Sequence, residues 1–311
     1  MSLSNEIKVF APASCANVNC GFDLLGFALQ NPGDEVVLRK ITTPGIVIKQ
    51  ITGDQGKLPL DPSKNTATVA LKSLLDTYMP DAGVEVIINK KMPLGSGLGS
   101  SAASAVAATY AADQLFGFNL DKKRLVEFAM QGEAVASGAI HGDNIAPSML
   151  GGFTLVKSYD PFEVLSLPVL DDLYYAIIHP DYEINTKLAR QVIRRSVALK
   201  DVITQNANLA GFIVALYTKN YELLGRSIKD VLIEPDRSLL IPKFDKLKQI
   251  ALDNGALGFG ISGSGPSLFS LSKGVETARK VADLMAKHLN AYSVKNEVYV
   301  DKINLTGAVV I

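Results

Sequence analysis

Residues 93–108 read PLGSGLGSSAASAVAA. Gly95, Gly97 and Gly99 alternate, Ser100 and Ser101 follow, and alanine then dominates. Glycine disfavours helix and alanine favours it, so the stretch marks an abrupt passage from loop to helix. One use of such a junction is a turn that lets a helix pack closely against its neighbours. The other is a cradle for an anion, because the first N–H groups of a helix lack internal partners and carry partial positive charge. On the second reading Pro93, Leu94, Gly95, Ser96, Gly97, Leu98, Gly99, Ser100 and Ser101 hold phosphate. The serine hydroxyls then add donors and a candidate Mg²⁺ ligand. A Walker A loop is excluded, since no lysine lies between Pro93 and Ala108. A Rossmann fingerprint fits poorly, since Gly95 and Gly97 are followed by Ser100.

The flanking patterns alternate between strand and helix. Residues 8–14, 34–41, 45–51, 84–90 and 173–180 read as strands, and GFTLVK, opened by Gly151 and Gly152, as another. Helical spacing predicts helices over 65–79 with an Asn65 cap, from about 100 to 116 with Gly117 as its stop, and over 121–138 with an Asp121 cap. Further helices are predicted over 185–199, 206–220, 241–254 and 276–290, with a glycine-rich strand pair over 255–272. These elements make an α+β protein of two domains, 1–165 and 166–311, with the last strand free to return to the first domain.

The 311 residues carry 31 basic and 31 acidic side chains. No broad basic field is available to hold nucleic acid or an anionic membrane, so an anion must be captured by local geometry. Cys15 and Cys20 have no second pair with which to bind zinc. They read as small packing residues in a reducing compartment. The opening residues lack the pattern of a signal peptide, and no apolar run is long enough to span a bilayer. A cytoplasmic protein is expected.

The loop P-L-G-S-G-L-G-S-S-A-A resembles the phosphate loop of the GHMP small-molecule kinases. Two further stretches agree in the family's order. APASCANVNCGFDLLGFAL (11–29) is similar to its substrate-side segment, and GISGSGPSLFSL (260–271) to its third glycine-rich motif. The resemblance implies an S5-like N-terminal domain joined to a ferredoxin-like C-terminal domain, with ATP and Mg²⁺ bound between them and an alcohol as acceptor. Finer features resemble the branch that phosphorylates L-homoserine: His141-Gly-Asp-Asn144, Asn185-Thr186-Lys187 with Arg190, and Glu234-Pro235 with Arg237. Cys20 departs from the pattern, standing where proline is expected before Gly-Phe-Asp. A homodimer is implied on the same grounds.

Homoserine is a zwitterion with a primary hydroxyl, so its site needs a cation for the carboxylate and an acceptor for the ammonium. Arg190 and Arg237 supply guanidinium forks that match a carboxylate, although an arginine on a helix is usually solvated. Asp23 suits the ammonium or the hydroxyl proton, while its commonplace role is a turn carboxylate. Asn17, His141, Thr186 and Gly263 complete the expected substrate site. A lone histidine is as often structural, and Thr186 also fits a helix start. Ser100 and Glu133 are the expected metal ligands, and Asn65 contacts adenine by resemblance beside its role as a cap. The resemblance aligns Asn144 with the catalytic aspartate of mevalonate and galactose kinases, and Asp143 is expected to point elsewhere. Phosphoryl transfer then relies on positioning and charge stabilisation. A kinase of another small alcohol such as mevalonate, and a silent nucleotide-binding regulator, are the competing readings.

Overall fold

A computed structural model describes residues 5–137 and 141–311. The first layer runs β1 (Glu6–Ala16), β2 (Leu25–Ile41), β3 (Gly45–Thr52), α1 (Thr66–Tyr78), β4 (Gly83–Asn89), α2 (Ser100–Phe116), α3 (Lys122–Ser137), α4 (Ile145–Leu150), β5 (Phe153–Tyr159) and β6 (Phe162–Leu167). β2 organises its sheet. β1 pairs along most of it, residues 35–41 pair with β4, and residues 25–27 pair with β5. Only β3 and β4 run parallel in this sheet.

The second layer holds β7 (Leu173–Pro180), α5 (Thr186–Gln191), α6 (Leu199–Thr218), α7 (Tyr221–Ser227), α8 (Glu234–Arg237), α9 (Phe244–Asp253), β8 (Ala256–Ile261), β9 (Leu268–Lys273), α10 (Val275–Ala291) and β10 (Asn296–Lys302). Its strand order β10-β7-β9-β8 is antiparallel throughout. A strand, helices, two strands, a helix and a strand in that order give the ferredoxin-like pattern. The chain then returns, and β11 (Val309–Val310) pairs with β1. The result is an α+β protein whose sheets change between β6 and β7.

The alanines of α2 have a packing reason. The helix lies against α1, α3, β1 and β2, and Ala102, Ala103, Ala105, Ala107, Ala108, Ala111 and Ala112 are all buried. Larger side chains would hold its neighbours apart. Aromatic residues join the two layers. Phe27 on β2 lies 5.4 Å from Phe153, 6.0 Å from Tyr175 and 6.1 Å from Phe269 between ring centres. On the far side of the second sheet a separate core gathers Phe244, Leu247, Phe259, Val281 and Met285.

Several boundaries differ from the sequence reading. The helix expected over 185–199 ends at Gln191, because Asp236 takes the Arg194 N–H at 3.0 Å and its guanidinium at 2.6 Å, drawing the chain off the helical path. α6 starts at Leu199, seven positions before the predicted 206. The strand expected over 34–41 is the second half of the longer β2, and β6, β10, α4, α7 and α8 were not anticipated. Gly138, the last residue of the expected helix 121–138, lies outside the described residues. No helix among those described is long and apolar enough to cross a membrane.

Phe27 is fully buried where both layers meet. Phe27→Ala should lower unfolding stability by about 3–5 kcal/mol, read from the midpoint of a urea titration.

Candidate active site

A cleft of about 890 Å³ separates the two layers. Its end along residues 94–101 is built by backbone. Gly97 and Gly99 have φ of +78° and +68°. A Cβ on Gly97 would stand 2.5 Å from the Ser262 carbonyl oxygen, and one on Gly99 2.4 Å from Ser14 Oγ. The loop's carbonyls are taken up by the protein. Ser14 N–H donates to Leu98 at 3.0 Å, Ser267 N–H to Ser96 at 3.2 Å, and Ser262 Oγ to Gly97 at 2.8 Å. No side chain caps α2, and its first turn holds no acidic residue. The positive end of a 17-residue helix therefore opens on the cleft.

The two serines at the start of α2 face different ways. Ser100 Oγ donates to Asp34 at 3.1 Å, away from Glu133, whereas Ser101 Oγ donates to Glu133 Oε1 at 2.7 Å. Ser100 and Glu133 both line the cleft, and the serine bonded to Glu133 is Ser101, one position on. Burial raises the Glu133 carboxyl, opposed by the Ser101 bond and by the charge of Lys90. These two oxygens suit a hard cation. Among the described residues no group of three or more acidic, histidine or cysteine side chains forms a metal cage, so Mg²⁺ here would complete its shell with phosphate oxygens and water. Beside Gly95, the exposed pair Lys57 and Glu183 bridges the layers at 2.8 Å.

The opposite end is built by side chains. Arg190 grips the Asp23 carboxylate with both guanidinium nitrogens, at 3.0 and 2.8 Å. The Phe22 ring lies 5.4 Å from the Arg190 guanidinium and 4.9 Å from that of Arg237. Arg237 is 5% exposed and donates to the Ala189 and Gly263 carbonyls at 3.0 and 2.9 Å. Burial, and then the charge of Arg190, pushes it down to about 10, so it stays cationic at neutral pH. Asn17 ties the end together: its Oδ1 accepts from Asp23 N–H at 3.0 Å, and its Nδ2 donates to the Gly263 carbonyl at 2.9 Å. Asn17 and Asp23 both hold positive φ.

Homoserine kinases run parallel to this chain over nearly its full length. The chain is 43% identical to a homoserine kinase of Chlorobium phaeovibrioides over 97% of its own length and 98% of the relative's. It is 39% identical to one from Xylella fastidiosa, covering 98% and 94%. The GHMP kinases N terminal domain model matches residues 65–152 and the GHMP kinases C terminal model residues 212–291. This chain belongs to the GHMP kinases. A crystal structure of homoserine kinase from Cytophaga hutchinsonii superposes with a TM-score of 0.98 at 50% identity, covering 100% of this chain and 99% of that one. Mevalonate kinase of L. major shares the fold, with a TM-score of 0.71 at 14% identity. The protein is thus an ATP-dependent kinase acting on an alcohol.

Within this GHMP kinase the cleft gathers Asn17, Asp23, Leu94, Gly95, Ser96, Gly97, Gly99, Ser100, Ser101, Glu133, His141, Asn144, Thr186, Arg190, Arg237 and Gly263 from the sequence reading. Asn65 does not line it. Its Oδ1 caps α1 by accepting from Ala67 N–H at 3.1 Å, and its Nδ2 faces the Pro59 carbonyl at 3.4 Å. Pro93 and Leu98 likewise lie behind the wall. His141 stands 3.7 Å from Asp23, but burial lowers it and keeps it neutral at pH 7. Asn144 Oδ1 accepts from Ser14 Oγ at 2.9 Å. Cys20 N–H donates to the Val18 carbonyl at 2.7 Å, a bond the expected proline lacks, and burial pushes both thiols far above the usual range.

Asp143 corrects an expectation. It lines the cleft instead of pointing away, and is 3% exposed. Burial, with the charge of Asp23 adding to it, raises its carboxyl to about 7. The folded state therefore binds this proton more tightly than the unfolded chain. Wild-type stability relative to Asp143→Asn should fall as pH rises from about 4 to about 7 and level off above. The change should be a few kcal/mol, on the order of 1.4 kcal/mol for each pH step of one across that window, measured by denaturant titrations at stepped pH. A separate Mg²⁺ titration should show Ser101→Ala needing about tenfold more metal for half-maximal rate, and Ser100→Ala a smaller increase.

Proposed function

We propose that this GHMP kinase transfers the γ-phosphoryl group of ATP to the side-chain hydroxyl of L-homoserine, giving O-phospho-L-homoserine for threonine synthesis. The carrying observation is the bidentate Asp23–Arg190 pair facing the cleft, with Arg237 beside it. A zwitterion offers an ammonium to Asp23 and a carboxylate to the arginines, so both charges keep a partner when the pair is parted. Mevalonate has a carboxylate alone and would leave Asp23 without a cation. Galactose has neither charge. Because unpaired charged groups are costly, the clamp favours an amino-acid acceptor.

At the other end the N–H groups of α2 would take the phosphates, and Ser101 with Glu133 would hold Mg²⁺. When bound there, the metal neutralises charge on the transferring group. Arg237 stays cationic and adds to that stabilisation. Of the acidic side chains at the cleft, Asp143 is best matched to accept the hydroxyl proton near pH 7. Asp23 is committed to the substrate ammonium, and Asn144 has no basic form. The same reading includes a cytoplasmic homodimer, whose mass light scattering measures.

The deciding experiment is ADP release by purified protein with Mg·ATP against L-homoserine, mevalonate, galactose and shikimate. Turnover with homoserine alone is expected. Turnover with another alcohol removes the substrate assignment, and ATP binding without turnover favours the silent regulator. Arg190→Ala should raise KM for homoserine about 30-fold or more and leave KM for ATP nearly unchanged. The wild-type kcat/KM should climb with pH to a plateau above about 7. Asp143→Asn should remove that limb and lower kcat by at least about 10²-fold.

A further inference from the structure

Behind the first turn of α2 lies a buried ion pair whose two residues are not among those lining the cleft. Lys90, just past β4, and Asp34 on β2 form an ion pair whose side chains are 2% and 0% exposed. The Lys90 ammonium also donates to the Ser100 carbonyl and to the Ser104 hydroxyl, each at 2.7 Å. One Asp34 oxygen accepts the Ser100 and Ser104 hydroxyls at 3.1 and 2.8 Å, and the other accepts Lys91 N–H at 3.0 Å. Lys90 N–H is itself anchored on the Thr52 carbonyl at 2.8 Å.

A buried ion pair seldom adds net stability over apolar residues of similar volume. What this one supplies is geometry. Successive helical side chains point about 100° apart, so turning Ser100 inward onto Asp34 leaves Ser101 outward on Glu133. The same contacts hold the Ser100 carbonyl, and with it the rotation of the whole first turn. The loop has no lysine of its own between Pro93 and Ala108. Its cation comes instead from behind the helix.

We propose that Lys90 and Asp34 are positioning residues of the nucleotide loop. They fix the first turn of α2 so that its N–H groups and the Ser101 hydroxyl meet the phosphates. This rests on the reading of residues 93–101 as the ATP loop, and not on the identity of the acceptor.

The test compares Lys90→Met with the double variant Lys90→Met, Asp34→Leu, which removes both charges and keeps the volume. The readouts are the thermal midpoint, the affinity for trinitrophenyl-ATP with Mg²⁺, and KM for ATP against KM for homoserine. The single variant should melt well below wild type, since it strands a buried carboxylate. The double variant should melt near wild type, yet bind the analogue about tenfold more weakly, with KM for homoserine within about twofold. A double variant that melts and binds like wild type overturns the proposal. If the double variant does not fold, Ser104→Ala decides. It removes one contact of the cluster without unpairing a charge, and an unchanged affinity for the analogue overturns the proposal, whereas a measurable loss supports it. Should wild type bind the analogue but not turn over homoserine, the substrate assignment fails while the binding comparison still decides this one.

Discussion

The structure depends on a seam where two glycine-rich loops meet backbone to backbone. Ser262 and Ser267 reach the carbonyls of Gly97 and Ser96, and nothing larger than hydrogen fits on Gly97. Because the carbonyls of one loop are satisfied by the other layer, the N–H groups at the start of α2 remain for a ligand. The cleft exists because the layers touch here and diverge beyond. Alanine packing behind α2 and the aromatic cluster around Phe27 then hold the helix and the two sheets at that spacing.

The two ends of the cleft are made of different material. The end along the glycine loop consists mainly of main chain and helix dipole. The opposite end consists of charged side chains that satisfy one another. That division fits a family in which mevalonate kinase keeps the fold at 14% identity.

What the sequence disclosed follows the same division. Gly95, Gly97, Gly99 and the alanines after them are local signals, so the loop-to-helix junction and α2 were readable. Asp23, Arg190 and Arg237 were readable as a charge set through resemblance. Their mutual arrangement was not, since the Asp23–Arg190 grip joins residues 167 positions apart. Which serine bonds Glu133 turns on Asp34, 66 positions upstream of Ser100, and no local pattern reports which way a helical serine faces. Asp143 was misplaced because adjacency to Asn144 carries no information about a short segment entering α4. The break after Gln191 also has a distant cause, the pull of Asp236 on Arg194.

The ties between the layers bear on how products leave. Asn17 bonds Gly263, Ser262 bonds Gly97, and Tyr175 accepts from the Gln30 N–H. Swinging the layers apart would break these sheltered bonds together and open the aromatic junction at Phe27. At the mouth beside Gly95 the tie is the solvated Lys57–Glu183 pair, and exposed pairs contribute roughly 0–1 kcal/mol. Opening the rim beside Gly95 therefore costs far less than swinging the layers apart.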